Sequence, residues 1–85
     1  MTWADDLTTE RRAKIESALD RSGAEHLRYA NGDRNFAAFL LVADATAFKT
    51  IGVSIFDLPD FCWRDAHDDG MTPAEALRVA RESGI

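Results

Sequence analysis

The chain has 85 residues, of which 46% are hydrophobic, and its formal net charge is −5 at pH 7. Because stable domains begin at roughly 50 residues and a second core needs well over 100 more, we expect residues 1–85 to form a single domain. The acidic balance disfavours binding to nucleic acid phosphates and favours a protein partner with a basic surface. Formation of a homodimer is a further alternative.

Three features indicate the compartment. Cys62 is the single cysteine and cannot form an internal disulfide. The N-terminus has neither the basic start nor the apolar run of a signal peptide. The uncharged apolar run at residues 35–43 is far shorter than the roughly 20 residues of a membrane helix. We therefore expect a cytoplasmic protein without membrane contact.

The first predicted element is a surface helix. Thr8 has the residue type of an N-cap, whose hydroxyl accepts a free backbone N–H, and the helix runs to about Ser22. Gly23 follows as the expected left-handed residue that ends it. Trp3 lies near the terminus, where we expect it to be more open to a partner than a core tryptophan.

Residues 24–32 give a mixed signal. Leu27 and Tyr29 alternate with polar neighbours as in a strand, and Asn31-Gly32 is a strong hairpin signal. If this signal is followed, the fold is α+β with a hairpin at residues 25–43, and a short helix capped by Asp44 comes next.

The run from Asn35 to Ile51 favours the other interpretation. Its apolar residues recur at helical spacing, and its five alanines are typical of a helix rather than a strand. We therefore favour an all-α fold, in which a central, mostly buried helix extends from about Asp33 to Ile51 and stops at Gly52.

The densest segment, from Phe56 to Gly70, contains five aspartates and the single cysteine. Asp57 is a good N-cap and Pro59 suits a first helical turn, so we predict a helix from Asp57 that Gly70 ends. On such a helix Cys62 falls on the apolar side and should be buried. Trp63 is expected in the core.

The last predicted helix has the best-defined start. Thr72, Pro73 and Glu75 match the capping box, with proline at the first helical position. The turn before it is short, so the two last helices form an αα corner. The fold class is thus a small all-α bundle of about four helices.

No catalytic or metal-binding group is predicted. Asp65, His67, Asp68 and Asp69 are ligand types, but on a helix His67 projects away from the aspartates. A Cys62 nucleophile with His67 as base fails, because positions i and i+5 lie well apart around a helix. We expect no enzyme, no cofactor and no metal; a metal-dependent enzyme is the remote alternative.

The aspartates favour a binding role instead. Carboxylates in a last helical turn oppose the helix dipole, which indicates that they serve a partner rather than stability. The predicted partner-binding residues are Asp57, Asp60, Arg64, Asp65, Asp68 and Asp69. The alternative is a helix-turn-helix transcriptional regulator that reaches DNA through Arg78 and Arg81, but the acids on the preceding helix would face the phosphates.

One resemblance points the same way. Residues 55–77, IFDLPDFCWRDAHDDGMTPAEAL, resemble the C-terminal part of small uncharacterised acidic proteins that bacterial plasmids, phages and related mobile elements carry. The resemblance covers about a quarter of the chain. It implies a small accessory protein, a class in which anti-CRISPR proteins and other inhibitors or regulators act by stoichiometric binding.

Overall fold

The computed structural model describes residue 3, residues 7–57 and residues 61–83. Within these residues the protein is all-α, as predicted, with five α-helices and no strand. The helices are α1 Thr9–Ser22, α2 Ala24–Tyr29, α3 Arg34–Ile51, α4 Trp63–Asp68 and α5 Pro73–Ser83, and a 3₁₀ turn spans Ile55–Asp57. The alternative hairpin at residues 25–43 is wrong, because α2 and α3 occupy this part of the chain.

The first helix begins and ends where the sequence predicts, but Gly23 has another role. The Thr8 hydroxyl accepts a hydrogen bond from the Arg11 N–H at 3.2 Å, as an N-cap should. Gly23 has a φ of −96° and does not enter the left-handed region. A Cβ at this buried position would lie 2.5 Å from the Leu19 carbonyl oxygen. The glycine therefore provides the space that lets α2 follow α1 directly.

Asn31 and Gly32 reverse the chain between α2 and α3. Both residues are left-handed, with φ values of 56° and 86°. The Gly32 N–H donates to the Leu27 carbonyl at 2.9 Å and closes α2. Asp33 then caps α3 by accepting the Phe36 N–H at 3.2 Å. The hairpin signal is misleading here because left-handed residues end helices as readily as they turn strands.

The third helix is the centre of the fold, as predicted. It packs against α1, α2, α4, α5 and the 3₁₀ turn, while α1 also contacts α2 and α4 contacts α5. Its buried residues are Phe36, Ala37, Ala38, Phe39, Leu40, Ala43, Asp44 and Ala47. Full burial of a side chain such as Phe39 contributes about 1.5–3 kcal/mol. Each of the other elements thus gains its stability by covering part of α3.

The corner between α4 and α5 confirms the predicted signals. The Met71 N–H donates to the Ala66 carbonyl and the Gly70 N–H to the His67 carbonyl, each at 3.1 Å, which is the Schellman ending. Gly70 is left-handed, with a φ of 84°. Thr72 and Glu75 form the capping box: the Glu75 N–H donates to the Thr72 hydroxyl at 3.2 Å.

The helix predicted to start at Asp57 is much shorter than expected. The 3₁₀ turn ends at Asp57, residues 61 and 62 belong to no helix, and α4 begins at Trp63. Just before it, the Trp63 N–H donates to the Phe61 carbonyl at 3.0 Å, a tight turn rather than a helical bond. Pro59 and its predicted first-turn role lie outside the described residues.

Candidate functional site

Three exposed aspartates lie on α4 and its C-cap residue. Asp65, Asp68 and Asp69, which we call the acidic face, are all exposed and have the i, i+3, i+4 spacing of one side of a helical turn. Asp68 contacts the Arg64 guanidinium at 3.5 Å. Within the described residues, the carboxylates of Asp65 and Asp69 make no hydrogen bond or ion pair. Two of the three charges are therefore available to a partner.

The other predicted aspartates are not part of the acidic face. Asp57 is exposed but belongs to the 3₁₀ turn, and Asp60 lies outside the described residues. A common surface with α4 therefore stays a prediction for both residues.

Arg64, which the sequence also assigns to the partner surface, has contacts within the fold. Its guanidinium donates to Asp33 Oδ2 at 2.9 Å and lies 4.9 Å from the centre of the Phe36 ring. Cation–π stacking of this kind favours a fixed side-chain position. The one cation of the segment is thus drawn toward the start of α3, and a partner-binding role for it stays a prediction.

The same contact changes the acidity of Asp33. Burial alone raises the pKa of the Asp33 carboxyl, but the Phe36 N–H and the Arg64 guanidinium bind its charged form and lower the pKa below its ordinary value. Asp33 therefore caps α3 as a carboxylate and joins the start of that helix to α4.

The opposite side of α4 is fixed in the core. Trp63 and His67 are 3% and 4% exposed. The Phe61 ring meets Trp63 edge-on at 4.8 Å, and the His67 ring lies 5.3 Å from both Phe36 and Phe39. Because α4 has only six residues, these buried rings rather than helix propensity hold the acidic face in place.

Three side-chain predictions are wrong. Cys62 is exposed rather than buried, because it precedes α4 and is not on the apolar side of a helix. Trp3 is buried at 8% exposure and packs edge-on against Phe39 at 6.0 Å, so it is not open to a partner. The prediction that His67 projects away from the aspartates is wrong for Asp68, because His67 Nδ1 lies 3.1 Å from Asp68 Oδ1. Asp65 and Asp69 are exposed, whereas His67 is buried.

A buried polar cluster was not anticipated from the sequence. Asp44, on α3, accepts hydrogen bonds from His26 Nε2 at 2.9 Å, from the Ser54 hydroxyl at 2.8 Å and from the Ile55 N–H at 3.0 Å. His26 and Asp44 are 7% and 9% exposed. The cluster therefore links α2, α3 and the connector that leads to α4.

The geometry of this cluster fits a structural role. A carboxylate only accepts, so both the His26 Nε2–H and the Ser54 hydroxyl donate to Asp44. The hydroxyl is thus bound to the acid and not to the imidazole, so the cluster lacks the hydroxyl–imidazole contact of a catalytic triad. Paired in this way, the buried charge avoids the large cost of an unsatisfied carboxylate.

The sequence contains one indication of the buried polar cluster, but it does not identify all of its members. Asp44 interrupts the apolar run of α3, and an acid on a buried helix needs donors. Which donors it receives depends on the packing of α2 and of the connector, and neither His26 nor Ser54 has a spacing that reveals this contact.

Two further features are absent from the described ranges. They contain no group of three or more histidine, cysteine, aspartate or glutamate side chains placed to hold a metal ion. None of the helices in them is long and apolar enough to cross a membrane.

No protein-family model, curated protein or solved structure matches the chain. The role of the acidic face has to be inferred from its own charges and contacts.

Proposed function

We propose that the protein is a small interaction module whose acidic face binds a basic surface of another protein, and that it acts as an accessory regulator or inhibitor by occupying that surface. The proposal has no catalytic step and needs no cofactor. The resemblance of residues 55–77 to small acidic accessory proteins supports the same role.

The observation that carries the proposal is the unpaired state of Asp65 and Asp69. Both are exposed, and no cation within the described residues neutralises them. Asp68 and Asp69 also lie at the negative end of the α4 dipole, which costs stability. Some other carboxylates are paired within the fold, as when Glu16 and Asp20 both accept from Arg34. Exposed charges that have no ion pair within the fold are the ones that a partner protein can pair.

A protein partner fits better than DNA. In a helix-turn-helix arrangement, Arg78 and Arg81 of α5 would approach phosphates, and both are exposed. The acidic face precedes α5 by one short turn, and its carboxylates would repel the same phosphates. A basic protein surface is attracted by these charges, which raise the association rate and weaken with salt.

The test is a quantitative pull-down from the source cells, with the partner identified by mass spectrometry and its affinity then measured. The variant Asp65→Lys/Asp69→Lys reverses the two unpaired charges and leaves the Arg64 contacts intact. We expect its affinity for the partner to fall by about tenfold or more, and wild-type affinity to fall as salt rises.

The matched control is Glu25→Lys/Glu82→Lys, which makes the same change in net charge at exposed positions. Glu82 lies about 15 Å along α5 from the corner, and Glu25 belongs to α2. The control should keep the wild-type affinity. If both variants bind equally well, or if the partner that fits is a DNA duplex, the proposal is wrong.

A further inference from the structure

A second surface, distinct from the acidic face, lies between α1 and α3. It is an apolar groove with a volume of about 380 Å³ that is open to solvent. Its lining residues are Lys14, Ile15 and Ala18 from α1, and Leu41, Val42, Ala45, Thr46 and Lys49 from α3. We call this surface the lysine groove. The Thr46 hydroxyl donates to the Val42 carbonyl at 2.8 Å, so the only hydroxyl of the groove is already used within α3.

The apolar surface continues beyond the groove along α3. Phe48 is 57% exposed, an unusual state for a ring of this size. It follows Leu41 and Ala45 at i+7 and i+3, the spacing of one helix side. A single exposed apolar residue needs no explanation, but one that extends an open apolar groove enlarges a surface suited to binding.

The charges of the groove have one sign. Lys14 and Lys49 are the two lysines of the whole chain, and no carboxylate lines the groove. Within the described residues neither ammonium forms an ion pair, whereas Arg34 and Arg64 are both paired with carboxylates. A chain with a net charge of −5 thus keeps an unneutralised positive border on its apolar groove. The complementary occupant is apolar on one side and acidic at its edges.

The choice of occupant follows from shape and symmetry. A groove open along two helices cannot enclose a small ligand, whose sites usually bury most of its surface. A symmetric contact of two copies would place the same face on both, and the lining of this groove supplies no carboxylate to pair with the lysines of the other copy. A third helix, in contrast, fits between two packed helices with its apolar side inward.

We propose that the lysine groove binds an acidic amphipathic helix of a partner protein. Apolar side chains of that helix at i, i+3, i+4 and i+7 contact Ile15, Leu41 and Val42. Its flanking carboxylates pair with Lys14 and Lys49. The proposal does not depend on the acidic face, because it uses other helices and the opposite charge.

The test begins with a display library of random peptides of about 16 residues, roughly 24 Å of helix, selected against the intact protein. We expect the enriched peptides to be acidic, with apolar residues at helical spacing. Bound peptide should shift the amide resonances of Ile15 and Leu41. In Lys14→Glu/Lys49→Glu, affinity should fall by about tenfold or more. Both lysines are exposed, so the fold should persist, as circular dichroism can show.

The matched control is Arg28→Glu/Arg81→Glu, with the same charge change at exposed positions of α2 and α5. It should bind the selected peptides as the wild type does. The proposal is overturned if no peptide is enriched, if enriched peptides are basic, or if both variants weaken binding equally. It is also overturned if the resonances that shift belong to α4, if dodecanoate fills the groove where peptides do not, or if sedimentation shows that a second copy covers it.

Discussion

The acidic face and the lysine groove are two surfaces on which some charged side chains have no ion pair within the described part of the fold. The acidic face lies on a helix of six residues whose other side is buried. The groove lies between the two longest helices, α1 and α3, and its charges border apolar surface. Most charges near α3 are paired, as in Arg34 with Glu16 and Arg64 with Asp33. The negative net charge of the chain therefore agrees with the charge of the acidic face, but it gives no indication of the positive charge at the lysine groove.

The largest loss of stability is expected from a substitution in the core of α3, the helix that both surfaces depend on. Phe39 is fully buried on α3 and contacts His67 below the acidic face. We expect Phe39→Ala to lower the free energy of unfolding by about 3–5 kcal/mol, measured by urea denaturation. The control Phe48→Ala changes an exposed ring and should stay within about 0.5 kcal/mol of wild type. Equal losses in the two variants would contradict the assignment of Phe39 to the core.

A substitution in the buried polar cluster should have a smaller effect on stability and should disturb the acidic face more than the lysine groove. Asp44→Ala removes the acceptor for His26, Ser54 and the Ile55 N–H, and we expect a loss of about 3 kcal/mol in the free energy of unfolding. Because the cluster holds the connector to α4, amide hydrogen exchange should accelerate more in the 3₁₀ turn and α4 than in α1.

Asp44→Asn is the matched variant, since it keeps the side-chain volume and one acceptor oxygen, and its loss should be smaller. If exchange in Asp44→Ala accelerates equally in α1 and α4, the cluster does not support the acidic face in particular.

The smallest effect concerns the Asp33–Arg64 pair. The folded pKa of Asp33 is lowered, so its contribution is present above the unfolded value of about 3.9 and is lost as pH falls through the folded value. Asparagine also caps helices, so Asp33→Asn should cost only about 0.5 kcal/mol at neutral pH after solvent screening. The difference in the free energy of unfolding between the two proteins should shrink as pH falls below the unfolded value and through the lowered folded pKa of Asp33. A constant difference across this range would contradict the ionic origin of the effect.

The helix boundaries that the sequence predicted correctly are those with local signals. Thr8, Asp33 and the Thr72–Glu75 box each satisfy N–H groups within three residues of themselves, so no distant contact is needed to identify them. Gly52 and Gly70 end helices for an equally local reason, since both adopt positive φ.

The failures depend on contacts between distant residues. Asp57 is a suitable N-cap, but α4 begins at Trp63, where Trp63 and His67 reach the core. The exposure of Cys62 follows from that shift. The lysine groove was not foreseen because the apolar pattern of α3 does not reveal which of its sides other helices cover.

The dependence of α4 on its buried rings links binding to folding. A helix of six residues does not persist alone in water, so the proposed partner of the acidic face would bind only the folded chain. By mass action, such a partner at a hundred times its dissociation constant would stabilise the whole fold by about 2.7 kcal/mol. Substitutions deep in the core would then raise the apparent dissociation constant by the inverse of the folded fraction, although no atom of the interface had changed.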